Sequence, residues 1–227
     1  MPRLIGERVF KWFGGIKAVS NATFEIGGGR ITAIIGPNGA GKSTLLNLIT
    51  GFLRPDSGRI CYGETSLIGR SPHIIARLGV CRTFQDLRLI RGLTVLDNLL
   101  LAGADEHRAQ ECLDVVGLPN HEEAYAGALS YGQQKLLTLA CCLAAGSDHL
   151  LLDEPVAGVH PDLVEQVEVV LKDLQRQGKT IVVIEHNLDF VKRVSDRVIV
   201  LAEGTIIAEG TASEVLSQKQ VVDAYLQ

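Results

Sequence analysis

The chain has no apolar run long enough to cross a bilayer. Its longest greasy stretch, Leu136 to Ala145, falls well short of the roughly 20 residues a spanning helix needs. Met1 to Phe10 lacks the apolar core of a secretory leader, so the chain is expected to cross no membrane by itself. No block of five or six like charges occurs, and the formal net charge is only −4, so nucleic acid is not an expected partner. No CxxC occurs among the five cysteines, Cys61, Cys81, Cys112, Cys141 and Cys142. An odd, scattered set of this kind reads as small buried hydrophobes in a reducing compartment, and a disulfide framework is not expected. Internal repeats and low-complexity segments are also missing. What remains is an ordinary globular composition, 46% hydrophobic and 21% charged, over 227 residues. That length suits one large α/β domain with room for a subdomain. A mean hydropathy of +0.20 fits either a well-filled core or a buried partner surface.

Short β-branched runs predict strands at Arg30–Ile35, Leu150–Asp153, Thr180–Ile184, Arg197–Leu201 and Thr205–Glu209. Runs of this type suit strands buried on both faces of a parallel sheet. Pro161–Gln175 predicts a helix, with Pro161 in its first turn and Gly178 placed to end it. There Leu163, Val164, Val167, Val170, Leu171 and Leu174 recur at helical spacing. Between about Asp86 and Ala128 the texture turns helical, with Thr94 and Asp97 forming a capping-box pattern ahead of Leu99. This block reads as a helical insertion into an α/β core.

The stretch Gly36-Pro37-Asn38-Gly39-Ala40-Gly41-Lys42-Ser43-Thr44 follows the first of those strands and opens a helix. Glycines let successive backbone N–H groups turn inward toward phosphate oxygens. The helix adds unpaired N–H donors and the positive end of its dipole. Lys42 is expected to reach the β- and γ-phosphates and Ser43 to ligate Mg²⁺. By itself this loop leaves kinase, GTPase, motor and transporter ATPase open.

A second strand ends in Asp153-Glu154-Pro155, two carboxylates of the kind that phosphoryl transfer requires. One acid holds Mg²⁺, usually through water, and the other orients the attacking water. Asp153 suits the first role and Glu154 the second. Upstream, Leu129-Ser130-Tyr131-Gly132-Gln133-Gln134 precedes a helical run from Lys135 to Ala145, and Ser130 stands where a helix N-terminus is expected.

Taken in order, the 36–44 loop, LSYGQ at 129–133 and LLLDEP at 150–155 resemble the ATPase cassette of ABC transporters, over essentially the whole chain. The LSYGQ element is the specific one, since other P-loop enzymes lack it. The resemblance implies a P-loop cassette core, largely parallel with an antiparallel portion near the N-terminus. As one domain, it comprises 1–85 and 146–227 as α/β core, with a helical subdomain at 86–145 carrying the signature. Gln85 resembles the family's Q-loop glutamine, a ligand of Mg²⁺ or of the attacking water. His186 resembles the switch histidine, and Phe13 the aromatic that stacks on adenine, with Trp12 the second choice. Ser130, Gly132 and Gln133 are expected to contact ATP held by the opposite chain. The implied working unit is a head-to-tail homodimer, or a heterodimer with a second cassette, holding two ATP and Mg²⁺. Its implied partners are integral-membrane permease subunits and an extracytoplasmic solute-binding protein, and its place is the cytoplasmic face of the cell membrane.

Two positions depart from the family pattern. Tyr131 replaces the first signature glycine, which is tolerable where backbone angles are helical. His160 stands where a D-loop aspartate is usual, its contact role open. LSYGQQK, Glu185-His186-Asn187 and the ending Val222-Asp223-Ala224-Tyr225-Leu226 are similar to cassettes of the branched-chain amino acid and urea importer group, although those commonly carry a longer helical block. Lipopolysaccharide-export cassettes and soluble iron–sulfur-assembly or repair ATPases stay open as alternatives.

Overall fold

The computed structural model describes residues 2–226. The strands in chain order are β1 (Leu4–Phe13), β2 (Ile16–Ile26), β3 (Ile31–Ile35), β4 (Ser57–Tyr62), β5 (Thr65–Ser66), β6 (Val80–Arg82), β7 (His149–Asp153), β8 (Thr180–Ile184), β9 (Arg197–Ala202) and β10 (Thr205–Gly210). The helices are α1 (Lys42–Ile49), α2 (Pro72–Arg77), α3 (Val95–Leu101), α4 (Glu106–Val116), α5 (Tyr131–Ala144), α6 (Pro161–Arg176), α7 (Leu188–Val194), α8 (Ala212–Leu216) and α9 (Lys219–Leu226).

One sheet runs β10-β9-β3-β8-β7-β6. Its strands are parallel except β10, which pairs antiparallel with β9. Every residue of β3, β7 and β8 is buried, which is why they read as near-continuous apolar runs. Along these strands alternate residues face opposite layers. Ile34, Leu151, Val182 and Ile184 join a cluster with α1 and the second sheet. Ile31, Leu150, Leu152, Ile181 and Val183 join another with α3 to α7. The second sheet, β2-β1-β4-β5, is antiparallel.

The expected strands and α6 have their bounds within one residue of those read from sequence. Ser130 caps the N-terminus of α5 as expected, and the helix runs from Tyr131, ahead of the Lys135–Ala145 run read from sequence. β1 and β2, anticipated only as an antiparallel portion without bounds, are long strands whose register slips three times. Positive φ at Arg8 (46°) and Asn21 (53°) marks their irregularity. Between β6 and β7 the regular elements of the described chain are helices, and the Thr94–Asp97 capping box opens α3 at its N-terminus. The five cysteines are free, but only Cys112 and Cys142 are fully buried; Cys61, Cys81 and Cys141 are half-buried.

Candidate active site

The strands β3, β8 and β7 are parallel neighbours, with Ile34 beside Ile184 and Ile184 beside Asp153. Their C-terminal ends deliver the segments 36–41, 185–187 and 154–160 to one edge of the sheet. β6 pairs with β7 through Arg82 and Leu151, so Gln85 reaches the same edge. Open α/β sheets bind their ligands at this edge.

Glycine is required twice in the first loop. Gly36 has φ 147° and Gly41 φ 100°. A Cβ there would stand 1.9 Å from the Leu201 carbonyl oxygen and 2.2 Å from that of Ala18, respectively. Gly41 offers α1 no side-chain cap, and the first turn of α1 carries no acid. The leading N–H groups of α1 therefore have no partner within the helix, an arrangement that suits an anion. Lys42 is buried, and its Nζ donates to the carbonyls of Gly36 (2.7 Å) and Pro37 (2.9 Å). Burial pulls its pKa down, against the opposing pull of Glu154 and Asp153.

A cleft of about 670 Å³ opens over this loop, lined by Asn38, Gly39, Ala40, Gly41, Lys42, Ser43 and Thr44 together with Gln85, Glu154 and His186. The Glu154 carboxylate is held from both sides. Gln85 Nε2 donates to its Oε2 at 3.2 Å, and His186 Nε2 stands 3.4 Å from its Oε1. Beside the cleft, Asp153 Oδ2 accepts from the Arg82 guanidinium at 2.7 Å, and the Asp153 N–H donates to the Thr83 hydroxyl at 3.2 Å. Arg82 also donates to Asn47 of α1, so one guanidinium joins β6, β7 and the phosphate-loop helix.

Of the expected metal ligands, Ser43 and Gln85 line the cleft, whereas the Asp153 carboxylate is buried and is not part of its lining; all three offer oxygen. This is a hard set that suits Mg²⁺, which usually takes only one or two protein ligands besides phosphates and water. No cluster of three or more His, Cys, Asp or Glu able to hold a metal by itself occurs among the described residues.

Other expected site residues stand apart. Ser130, Gly132, Gln133 and Phe13 line no part of the cleft of their own chain. Ser130 and Gln133 form the reciprocal capping box of α5. Tyr131 is the first helical residue, so its replacement of glycine meets no backbone obstacle. At Gly132 a Cβ would lie 2.5 Å from Leu163 Cδ1, so a side chain there would require Leu163 to move. Phe13 is 45% exposed at the end of β1, with Lys11 Nζ 5.5 Å from its ring centroid. His160 is exposed ahead of α6, its Nδ1 3.5 Å from Asp162.

Sequence reasoning missed Arg82, Glu185, Lys135 and the cleft-lining Ile16, Lys17, Ala18 and Glu203. Glu185 is 2% exposed, and its carboxylate accepts from the N–H groups of Val156 (2.9 Å) and His186 (3.1 Å). Burial raises its pKa against those hydrogen bonds. Only Ile16 to Ala18 had a usable signal, their place just beyond Phe13.

Residues 19–157 match the family model described as ABC transporter. The chain is 37% identical to the high-affinity branched-chain amino acid transport ATP-binding protein LivG of Salmonella typhimurium, across 99% of this chain and 98% of that one. It is 34% identical to a probable LivG of Archaeoglobus fulgidus, across 100% and 96%. Among solved structures it superposes with a TM-score of 0.92 on the ADP conformation of MJ1267, an ATP-binding cassette of an ABC transporter, at 34% identity over 100% of this chain and 99% of that one. Against the dimeric structure of MJ0796, a bacterial ABC transporter cassette, the TM-score is 0.83 at 28% identity, over 92% and 98%.

Proposed function

Given that this chain belongs to the ABC transporter family of ATP-binding cassettes and is an ATPase, we propose that its hydrolysis of ATP drives solute import through a separate membrane permease. The solute class is branched-chain amino acids or a related small polar molecule, a reading supported by the names of the full-length relatives. The reading divides the chain into an α/β core, 1–85 and 146–227, and a helical subdomain, 86–145.

The observation that carries the reading is the meeting of Lys42, Gln85, Glu154 and His186 at one cleft. The triphosphate lies along the 36–44 loop, where α1 N–H groups and Lys42 neutralise it. Lys42 gives up its contacts with the Gly36 and Pro37 carbonyls for the β- and γ-phosphates. Mg²⁺, when bound, neutralises developing charge on the phosphates; Ser43, Gln85 and Asp153 are the residues that would hold it. Glu154 orients the attacking water and accepts its proton, and His186 keeps water and γ-phosphate in line. Phe13 stacks on adenine.

Ser130, Gly132 and Gln133 serve the nucleotide of a second chain in a head-to-tail dimer, either a homodimer or a pairing with another cassette. Support for this comes from their lining no part of their own cleft and from the dimeric cassette that the fold matches. No helix among the described residues is long and apolar enough to cross a membrane. Attachment at the cytoplasmic face therefore falls to the permease, with an extracytoplasmic solute-binding protein supplying the solute.

The test is to express the tagged chain with its candidate permease, solubilise the membranes and rebuild the complex in proteoliposomes with a solute-binding protein. ATP-dependent uptake of labelled leucine or urea is the expected result. Recovery of the chain only with iron–sulfur-assembly or repair proteins, and never with a permease, contradicts the proposal.

A further inference from the structure

Lys135 lines no part of the ATP cleft, yet its side chain ends on Glu154. It is the fifth residue of α5, the helix capped by Ser130, and it is 8% exposed. Its Nζ donates to the backbone carbonyl oxygen of Glu154 and stands 5.2 Å from the Tyr131 ring centroid. Burying an ammonium group costs hydration that an apolar side chain of the same length would not lose. A lysine here implies that the donor has a task.

The acceptor indicates what the task is. Glu154 has φ 52°, in the left-handed region that a residue bearing a Cβ avoids. Its N–H is fixed by the Ile184 carbonyl at 2.9 Å. Both its carbonyl and its Cβ lie beyond the N–Cα bond, so any rotation that relieved φ would move the two together. The nitrogen is held by Ile184, and the oxygen accepts from Lys135 and, at 3.3 Å, from the Ala157 N–H; together these keep the side chain directed toward Gln85 and His186. Beyond Glu154, the chain is anchored independently, since Glu185 accepts from the N–H of Val156 at 2.9 Å. Loss of the lysine donor therefore leaves the Glu154 carbonyl with only the longer contact from the Ala157 N–H, 3.3 Å, while Glu185 keeps the following loop in place.

We propose that Lys135 is a positioning residue for ATP hydrolysis: from the helix that Ser130 caps, it locks the Glu154 backbone and so aims the Glu154 carboxylate. The proposal rests on the reading of Glu154 as the water-orienting group. It carries a mechanical consequence. A shift of α5 against β7, as Ser130 engages or leaves a nucleotide on the partner chain, pulls on the Glu154 carbonyl of its own chain.

The experiment is a double-mutant cycle of Lys135→Met and Glu154→Gln, with Lys135→Arg as the conservative variant. Steady-state kcat and KM, ATP affinity and thermal midpoint are measured for each. Lys135→Met is expected to lower kcat about 10- to 100-fold, the scale of an ångström-sized misplacement. ATP affinity should stay within about twofold, the interval in which a binding contact counts as untouched. ATP should also drive the Lys135→Met protein into a dimer that persists on size exclusion, because hydrolysis is what ends it. Lys135→Arg should recover most of the rate.

In the Glu154→Gln background, Lys135→Met should cost nothing further, since the group it aims is already gone. A full multiplicative loss there means that Lys135 acts elsewhere and overturns the proposal. So does a normal kcat for Lys135→Met beside a slow Glu154→Gln, an outcome that leaves the Glu154 reading standing. Normal turnover in Glu154→Gln itself removes that reading first. Should Lys135→Met fail to fold, Lys135→Gln, polar but too short to reach the carbonyl, is judged by the same comparisons.

Discussion

Arg82 and Asp153 form an ion pair 2.7 Å long in which both side chains are more than nine-tenths buried. They lie 71 residues apart in sequence and meet because β6 and β7 are neighbours. The pair engages Asp153 through Oδ2.

Removing one member of a buried pair strands the other charge. Arg82→Met should therefore lower unfolding free energy by about 3–5 kcal/mol, read from denaturant titration. Adding Asp153→Asn removes the stranded carboxylate and should recover part of the loss. A double variant less stable than Arg82→Met contradicts this account.

Glu154→Gln keeps the shape of the side chain and its contact with Gln85 but removes the carboxylate proposed as proton acceptor. ATP binding should persist while kcat falls by two or more orders of magnitude, roughly the scale of a lost general base. An ATP-bound dimer should accumulate on size exclusion. Near-normal turnover would remove Glu154 from its role.

Phe13 presents an exposed ring, whereas Trp12 is stacked on Phe10 at 5.4 Å and 16°. Phe13→Ala should weaken ATP binding by about 1 kcal/mol, roughly fivefold in Kd, and Phe13→Tyr should be close to neutral. Loss in Trp12→Ala alone, measured by calorimetry, transfers the stacking role to Trp12.

His149 opens β7 and is 1% exposed. Its Nδ1 lies 3.1 Å from the Tyr62 hydroxyl, and its Nε2 has no hydrogen-bond partner. Burial pulls its pKa from 6.5 down to about 4. Between those values the unfolded chain binds a proton that the folded chain refuses, so stability falls as pH drops through that window. The folded state contributes this stability fully above pH 6.5 and has lost it below about pH 4. His149→Gln should flatten the slope across that window in denaturant titrations at successive pH values. An unchanged slope places the acid sensitivity in other groups.

Much of this architecture is legible in sequence wherever local pattern and burial coincide. β3, β7 and β8 are covered on both faces, so Ile31–Ile35 and its counterparts stand out as apolar runs. Thr94 with Asp97, and Ser130 ahead of α5, are capping arrangements made by near neighbours in the chain. β1 and β2 are harder, because bulges at Arg8 and Asn21 break the alternation that marks a strand. β6, at three residues, has no period to read. The phosphate loop, Asp153, Glu154, Gln85 and His186 all sit in recognisable local strings. Arg82 does not, and although Lys135 and Glu185 fall within the LSYGQQK and Glu185-His186-Asn187 strings, the contacts of all three come from partners that only the fold brings near.

The central claim is that each ATP site is completed by a second chain. Lys42→Ala disables the phosphate-binding half of a chain, and Ser130→Arg disables the half it offers its partner. Either variant alone should be inactive, since every site in its homodimer carries a defect. In a mixed dimer both defects collect in one site, and the other pairs an intact Lys42 with an intact Ser130. Mixing two inactive proteins should therefore restore ATPase activity, up to about half of the wild-type rate per mixed dimer if the sites act independently. No recovery, with mixed dimers demonstrated by chromatography, would contradict independent sites completed across the two chains.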